Sequence, residues 1–245
     1  KTDRLSEYGE QIGLKINSRK TKLMKIHTDR EDNITVRNEP VEEVKRFTYL
    51  GSVVTEDGGA EADIQSRLGK ARQTFGRLTP IWRSRQYSHR TKMKIYSSCV
   101  IPVLTYGSES WRTTQRDDHR LSVFHTTSLR KIYRIFWPKK ISNAALYKLS
   151  NQEPIVKTMA RRRWQWVGHT LRRDRDNISR TALRWTPEGK RKRGRPKTTW
   201  RRTLETEAQM CQKTWSDLER LAKDRRAWSD FTAALCATPG CFADE

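Results

Sequence analysis

Residues 64–82 read Ile64-Gln65-Ser66-Arg67-Leu68-Gly69-Lys70-Ala71-Arg72-Gln73-Thr74-Phe75-Gly76-Arg77-Leu78-Thr79-Pro80-Ile81-Trp82. Ile64, Leu68, Ala71, Phe75, Leu78 and Trp82 step by 4, 3, 4, 3 and 4, the spacing of one face of an α-helix. Arg67, Lys70, Arg72 and Arg77 lie off that stripe, so the helix has an apolar side and a basic side. Two more segments repeat the pattern. Residues 89–107 carry Met93, Tyr96, Val100, Val103 and Leu104, with Pro102 expected to kink the helix. Residues 117–136 carry Leu121, Phe124, Leu129, Ile132, Tyr133 and Phe136, and Trp137-Pro138 stops them. Three basic amphipathic helices of this kind predict a compact bundle.

Outward from the bundle, the period changes on the N-terminal side. Residues 3–14 read as the end of a helix. Lys22–His27, Ile34–Arg37 and Val44–Val54 read as strands, punctuated by Asn38-Glu39-Pro40 and closed by Asp57-Gly58-Gly59. On the C-terminal side, Ser142 is placed to cap a helix over 143–149, and Pro154 suits the first turn of another over 155–172. Thr186 to Lys197 is a Pro- and Gly-broken basic run, and 199–211 and 214–235 read as two further helices. The expected fold is therefore α+β and mostly α-helical. A small N-terminal β-hairpin or sheet spans 1–60, a helical bundle 61–140, a basic helical connection 141–185, a basic arm 186–198 and terminal helices 199–245.

Charge follows the same divisions. The chain of 245 residues carries a net charge of +23. Residues 1–60 are balanced, 61–160 and 161–202 each carry +13, and 203–245 carry −3. A positive middle between balanced ends is the footprint of a polyanion partner, nucleic acid above all. Mean hydropathy is −0.92 and only 34% of residues are apolar, so the core must be thin for the length. No run approaches the roughly 18 apolar residues of a membrane span, so no membrane partner is expected. The first residue is Lys1 rather than Met, which reads as a fragment or processed product. Cys99, Cys211, Cys236 and Cys241 lack paired spacing for a disulfide framework and read as reduced thiols. Cys236 and Cys241 make at most half of a zinc knuckle, and no metal site is assigned. The one Asp-Asp pair, Asp117-Asp118, sits where a helix begins and reads as helix-start acids.

Two short stretches say more. Gly13-Leu14-Lys15-Ile16-Asn17-Ser18-Arg19-Lys20-Thr21-Lys22 joins helix-ending chemistry to a basic β-prone segment, and Phe47-Thr48-Tyr49-Leu50-Gly51-Ser52 is an apolar run closed by Gly. In that order they resemble the last palm motif and the primer-grip turn of reverse transcriptases from non-LTR (LINE-type) retrotransposons, especially the RTE-like group. Ser97–Glu109 with Trp111, and Arg161-Arg162-Arg163-Trp164-Gln165-Trp166-Val167-Gly168-His169, resemble segments of the same group's thumb and post-thumb region.

The resemblance implies a C-terminal portion of an endonuclease–reverse transcriptase, comprising the end of the palm, the thumb and the tail. It places Lys20 or Lys22 near the phosphates of an incoming nucleotide, and Tyr49, Leu50 and Gly51 at the primer end. It makes 61–136 a thumb in which Arg67, Lys70, Arg77, Arg83 and Arg85 touch phosphates. The catalytic aspartates would precede Lys1, so the fragment alone is expected to be inactive. It would bind no cofactor, while the full-length enzyme uses Mg²⁺. Its partners would be an RNA template, a DNA primer or target, and the rest of the polyprotein, in the nucleus or in a cytoplasmic ribonucleoprotein before import.

The residues themselves suggest two further contacts. Arg161, Arg162 and Arg163 beside Trp164 and Trp166 combine phosphate clamps with stacking rings. One helix cannot aim both Trp the same way, so one is core. Arg191, Arg193, Gly194, Arg195 and Pro196, within Lys190–Lys197, match an AT-hook core for the A·T minor groove and equally an import signal. The alternative reading is a non-enzymatic DNA-binding protein that uses this hook and the Arg/Trp helix, a co-opted remnant of an element.

Overall fold

A computed structural model describes residues 2–26, 34–36, 38–185 and 199–237. The fold is α+β and mostly helical, as the periodicities predict. Two compact units divide after Ser66.

The first unit holds the strands. Helix α1 (Thr2–Gln11) ends where Gly13 N and Leu14 N donate to the Glu10 and Gly9 carbonyls, at 2.9 and 2.8 Å. Asn17 then shapes the next turn, its side chain accepting from Lys20 N at 3.1 Å. Strand β1 (Lys22–Leu23) is shorter than the expected Lys22–His27 and pairs in parallel with β4 (Glu42–Glu43). Between them, β2 (Thr35–Val36) and β3 (Glu39–Pro40) form an antiparallel pair. The longest pairing is the hairpin β5 (Arg46–Tyr49) and β6 (Ser52–Thr55), with Tyr49 opposite Ser52. Its loop is Leu50-Gly51, both left-handed at φ 49° and 82°. Two positive φ values are what a two-residue hairpin turn of matching twist requires, which glycine supplies without strain and leucine does not. Asp63 accepts from Val53 N at 2.9 Å and holds the hairpin against the start of α2 (Glu61–Arg77).

The second unit is a helical assembly. It continues α2 into α3 (Thr79–Arg83) and α4 (His89–Ile95), followed by a π-helical turn over Tyr96–Val100 and α5 (Ile101–Leu104). The single kinked helix expected over 89–107 is thus divided. Pro102 lacks an N–H and its ring crowds the carbonyl four residues back, and the widened turn absorbs both. After a 3₁₀ turn at Ser108–Ser110 comes α6 (Gln115–Tyr133), started by a capping box between Thr114 and Asp117. Asp117 is therefore a helix-start acid, as its position suggests.

Helices α7 (Asn143–Ser150), with Ser142 as its cap, and α8 (Ile155–Leu171) follow the sequence reading closely. Helix α9 (Ile178–Arg184) had no sequence expectation; Asn177 caps it. After α10 (Trp200–Met210), the helix expected over 214–235 is two, α11 (Trp215–Leu221) and α12 (Arg225–Ala237). Asp224 makes the break by accepting from Arg226 N and Ala227 N at 2.8 and 3.2 Å, an N-cap that starts a new helix.

Two cores result. In the first, Phe75 stacks on Trp82 with ring centroids 5.2 Å apart and meets Tyr96 and Phe124 edge-on. In the second, Trp164, Val167 and Leu171 of α8 pack with Leu204, Leu218, Trp228, Phe231 and Leu235 of the last three helices. No described helix is long and apolar enough to cross a membrane.

Below the first core lies a titratable pair. His125 is buried, with Nδ1 2.9 Å from the Tyr96 hydroxyl and Nε2 3.1 Å from the Glu153 carbonyl. Nε2–H donates to that carbonyl and Nδ1 accepts from Tyr96, which fits a neutral ring. Burial pushes the His125 pKa down to about 4 from the usual 6.5, against a smaller upward pull from Glu153. The unfolded chain therefore binds a proton that the folded chain refuses between these values. Stability contributed by this site is full above pH 6.5 and is lost as pH falls toward 4, by up to about 3 kcal/mol. Melting temperature should fall more steeply over that window in the parent chain than in His125→Gln. Parallel curves would refute the buried neutral ring.

Candidate nucleic-acid interface

Helix α8 carries the Arg/Trp motif, and its wheel sorts the residues. Arg163, Trp164, Val167, Gly168 and Leu171 face inward, while Gln165, Trp166 and His169 face solvent. Trp164 is fully buried, and its Nε1 donates to Glu207 Oε2 at 2.6 Å. Arg163 is 5% exposed and forms an ion pair with the same carboxylate. These two were expected to meet nucleic acid, and the structure corrects that. Their side chains join α8 to α10, because a buried guanidinium needs a carboxylate and a buried indole N–H needs an acceptor.

The two neighbouring arginines also face carboxylates of their own chain. Arg161 makes a two-point ion pair with Glu153, the longer contact being 2.7 Å, and Arg162 Nε lies 3.7 Å from Glu109. Trp166 is the outward ring of the pair. It is 38% exposed, with its ring edge-on to Trp200 at 5.7 Å, and Trp200 Nε1 donates to the Glu109 carbonyl at 2.8 Å. Asp118, close to Arg163 and Glu207, has its carboxyl pushed up to about 6, chiefly by burial.

The bundle places the remaining sites unevenly. Arg67 is buried, its guanidinium 4.2 Å from the centre of the Tyr106 ring, so it packs rather than faces a phosphate. Lys70, Arg77, Arg83 and Arg85 are exposed. In the first unit Lys22 is ion-paired with Glu42, whereas Lys20 is exposed on its turn. Tyr49 and Leu50 project from the hairpin at 62% and 75% exposure, beside Gly51. Arg191, Arg193, Gly194, Arg195 and Pro196 lie outside the described residues, as does Cys241.

A groove emerges that the sequence did not disclose. It runs between α2–α3 and α6 and encloses about 880 Å³. Phe75, Trp82, Phe124, Val123 and Phe136 line it, together with Arg72, Arg83, Lys131 and Arg134. Thr79, Thr127 and Ser128 add hydroxyls, and no acidic residue lines it. Arg134 closes α6 in the left-handed conformation, at φ 55°, and donates to the Arg83 carbonyl, which ties the two walls together. Lys92 braces the same corner from beneath, its ammonium donating to the Trp82 and Ser84 carbonyls at 3.0 and 2.7 Å. Its pKa is lowered by burial and then by Arg134. The signal available in sequence was two pairs of single cations, Arg72 and Arg83 against Lys131 and Arg134, 48 to 62 residues apart, which no local period links.

No metal set accompanies these cations. Among the described residues no group of three or more His, Cys, Asp and Glu could hold a metal ion. Asp117 is occupied in the α6 cap and Asp118 is buried beside Arg163, so this acidic pair does not fit the two-strand carboxylate site that polymerase Mg²⁺ requires.

These features define a strongly basic, mostly helical chain whose cations divide between internal ion pairs and an open aromatic groove. Along 89% of its length the chain is 23% identical to a Caenorhabditis elegans protein named "Putative uncharacterized transposon-derived protein", 82% of which is covered. No family model matches the chain, and no solved structure matches it.

Proposed function

We propose that the chain is the C-terminal part of an RNA-directed DNA polymerase of a non-LTR, RTE-like retrotransposon, and that it holds template–primer and target nucleic acid. The similarity to a transposon-derived protein along 89% of the chain supports the transposon origin in this reading. The order of the Gly13–Lys22 and Phe47–Ser52 motifs supports the polymerase part of it. In this reading the Leu50-Gly51 turn approaches the primer end by its backbone, and Lys20 serves the nucleotide phosphates. Lys22 is already paired with Glu42. Lys70 and Arg77, exposed on α2, contact phosphates and give affinity without sequence choice. The Mg²⁺-binding carboxylates belong to the remainder of the polymerase, and Lys190–Lys197 serves DNA contact or nuclear import.

The test is a fluorescence-anisotropy titration of an RNA–DNA hybrid between roughly 50 and 200 mM salt. Affinity should fall linearly on a log–log plot, and Lys70→Gln with Arg77→Gln should reduce the slope by about 2, one per lost phosphate contact. Absent binding at the lowest salt, or an unchanged slope in the double variant, overturns the assignment. The chain with Mg²⁺, primer and template should give no extension, and extension would refute the missing aspartates.

A further inference from the structure

The groove between α2–α3 and α6 combines two chemistries that a backbone-binding surface does not need together. Phosphates are held by exposed cations alone, yet here cations and aromatic rings line one cavity. Phe136, part of the lining, is 59% exposed, and Arg72, Arg83 and Lys131 form no ion pair among the described residues. A cavity of about 880 Å³ falls within the roughly 300–1,000 Å³ of ligand pockets. We propose that this groove captures unpaired nucleotides, the base packing against the exposed Phe136 ring and the phosphates facing Arg72, Arg83 and Lys131. The occupant is a single-stranded polynucleotide, because only a polyanion with apolar flat rings complements both the cations and the aromatic lining. This rests on the nucleic-acid reading above and extends it to an unpaired segment.

Gly76 strengthens the case. It lies in the last turn of α2, beside Arg77, which ends the helix. A Cβ built there meets no atom within 4 Å, so packing does not demand the glycine. What the missing side chain does is leave the groove open, since Gly76 is part of its wall.

The experiment compares three probes on the full chain: a blunt RNA–DNA hybrid, the hybrid with a short single-stranded arm, and the same arm made abasic. The base-bearing arm should raise affinity about ten-fold over the abasic arm, one stacked base being worth roughly that factor. Gly76→Trp, which fills the groove without a backbone clash, should erase that factor and leave blunt-hybrid affinity unchanged. Phe136→Ala, a truncation at an exposed site, should do the same. Gly69→Trp, on the same helix but outside the groove, should change nothing. Equal affinity for base-bearing and abasic arms overturns the proposal and leaves recognition by charge alone. A base effect that survives both groove variants overturns the location. If no probe binds, the nucleic-acid reading itself has failed, a result distinct from either.

Discussion

Gly168→Ala is expected to lower stability by about 2–4 kcal/mol, although it replaces glycine by the best helix former in the last turn of α8. The reason is one indole. Trp228 of α12 lies across α8 with Nε1 donating to the Trp164 carbonyl at 3.0 Å, and it is 3% exposed. A Cβ on Gly168 would fall on the Trp228 ring at Nε1, Cε2 and Cδ1. The ring has no room to step aside, because Trp164 and Phe231 flank it with centroids 6.0 and 5.5 Å away. Overpacking of a core costs about 1–3 kcal/mol, and a buried N–H that loses its acceptor costs about 1–3 more. The gain in helix propensity returns at most about 1 kcal/mol.

For a chain of this size the melting temperature should fall by roughly 4–16 °C, taking 2–4 °C per kcal/mol. Gly69→Ala, in the middle of α2, is the control for propensity. With nothing near its Cβ, it should raise stability by about 0.5–1 kcal/mol. A second control is Trp228→Leu, which vacates the space. Gly168→Ala should then add little on that background, because the two sites share one contact. Additive losses, or an unchanged melting temperature in Gly168→Ala, would show that Trp228 does not sit on Gly168.

That contact also marks where the sequence stopped being legible. Local periods were readable because they depend on neighbours three and four residues away. The α2 stripe, the Ser142 cap and the Asp117 helix start all follow from short-range chemistry and stand in the structure, whereas the single strand expected over Val44–Val54 is broken by the Leu50-Gly51 turn into β5 and β6. Two helix boundaries escaped because one residue decided each of them. Asp224 caps from its own side chain, and Pro102 is accommodated by a widened turn rather than a kink. The Arg/Trp motif misled for a different reason. Arg beside Trp has the same composition in a phosphate clamp and in a buried clasp. What separates them is the carboxylate opposite, and Glu207 is 44 residues from Arg163. The open groove was hidden likewise, since α2 and α6 contribute its cations from distant stretches of chain.

Removing the carboxylate should show which of those two structures the motif forms. Glu207→Ala is expected to destabilise by about 3–5 kcal/mol, since breaking a buried pair leaves an uncompensated charge. Burial raises the Glu207 pKa, and Arg163 with the Trp164 N–H pulls it back, so the carboxylate depends on both partners. Glu207→Gln keeps an acceptor for Trp164 but no charge for Arg163, and its loss should be smaller. The informative variant removes both charges. Arg163→Met with Glu207→Gln leaves neither a buried guanidinium nor a carboxylate and keeps an acceptor for the Trp164 N–H, so no buried charge is stranded as it is when one partner alone is lost. Arg163 Nε is moreover buried without a hydrogen-bond partner among the described residues, so its removal forfeits little. Denaturant unfolding should therefore place the double variant near the parent and far above Glu207→Ala. Its affinity for an RNA–DNA hybrid should match the parent's, because the guanidinium it lost faced Glu207. A phosphate clamp predicts the opposite pattern, in which Arg163→Met weakens binding whatever stands at 207. A double variant that is stable but binds several-fold more weakly would return Arg163 to the nucleic-acid interface.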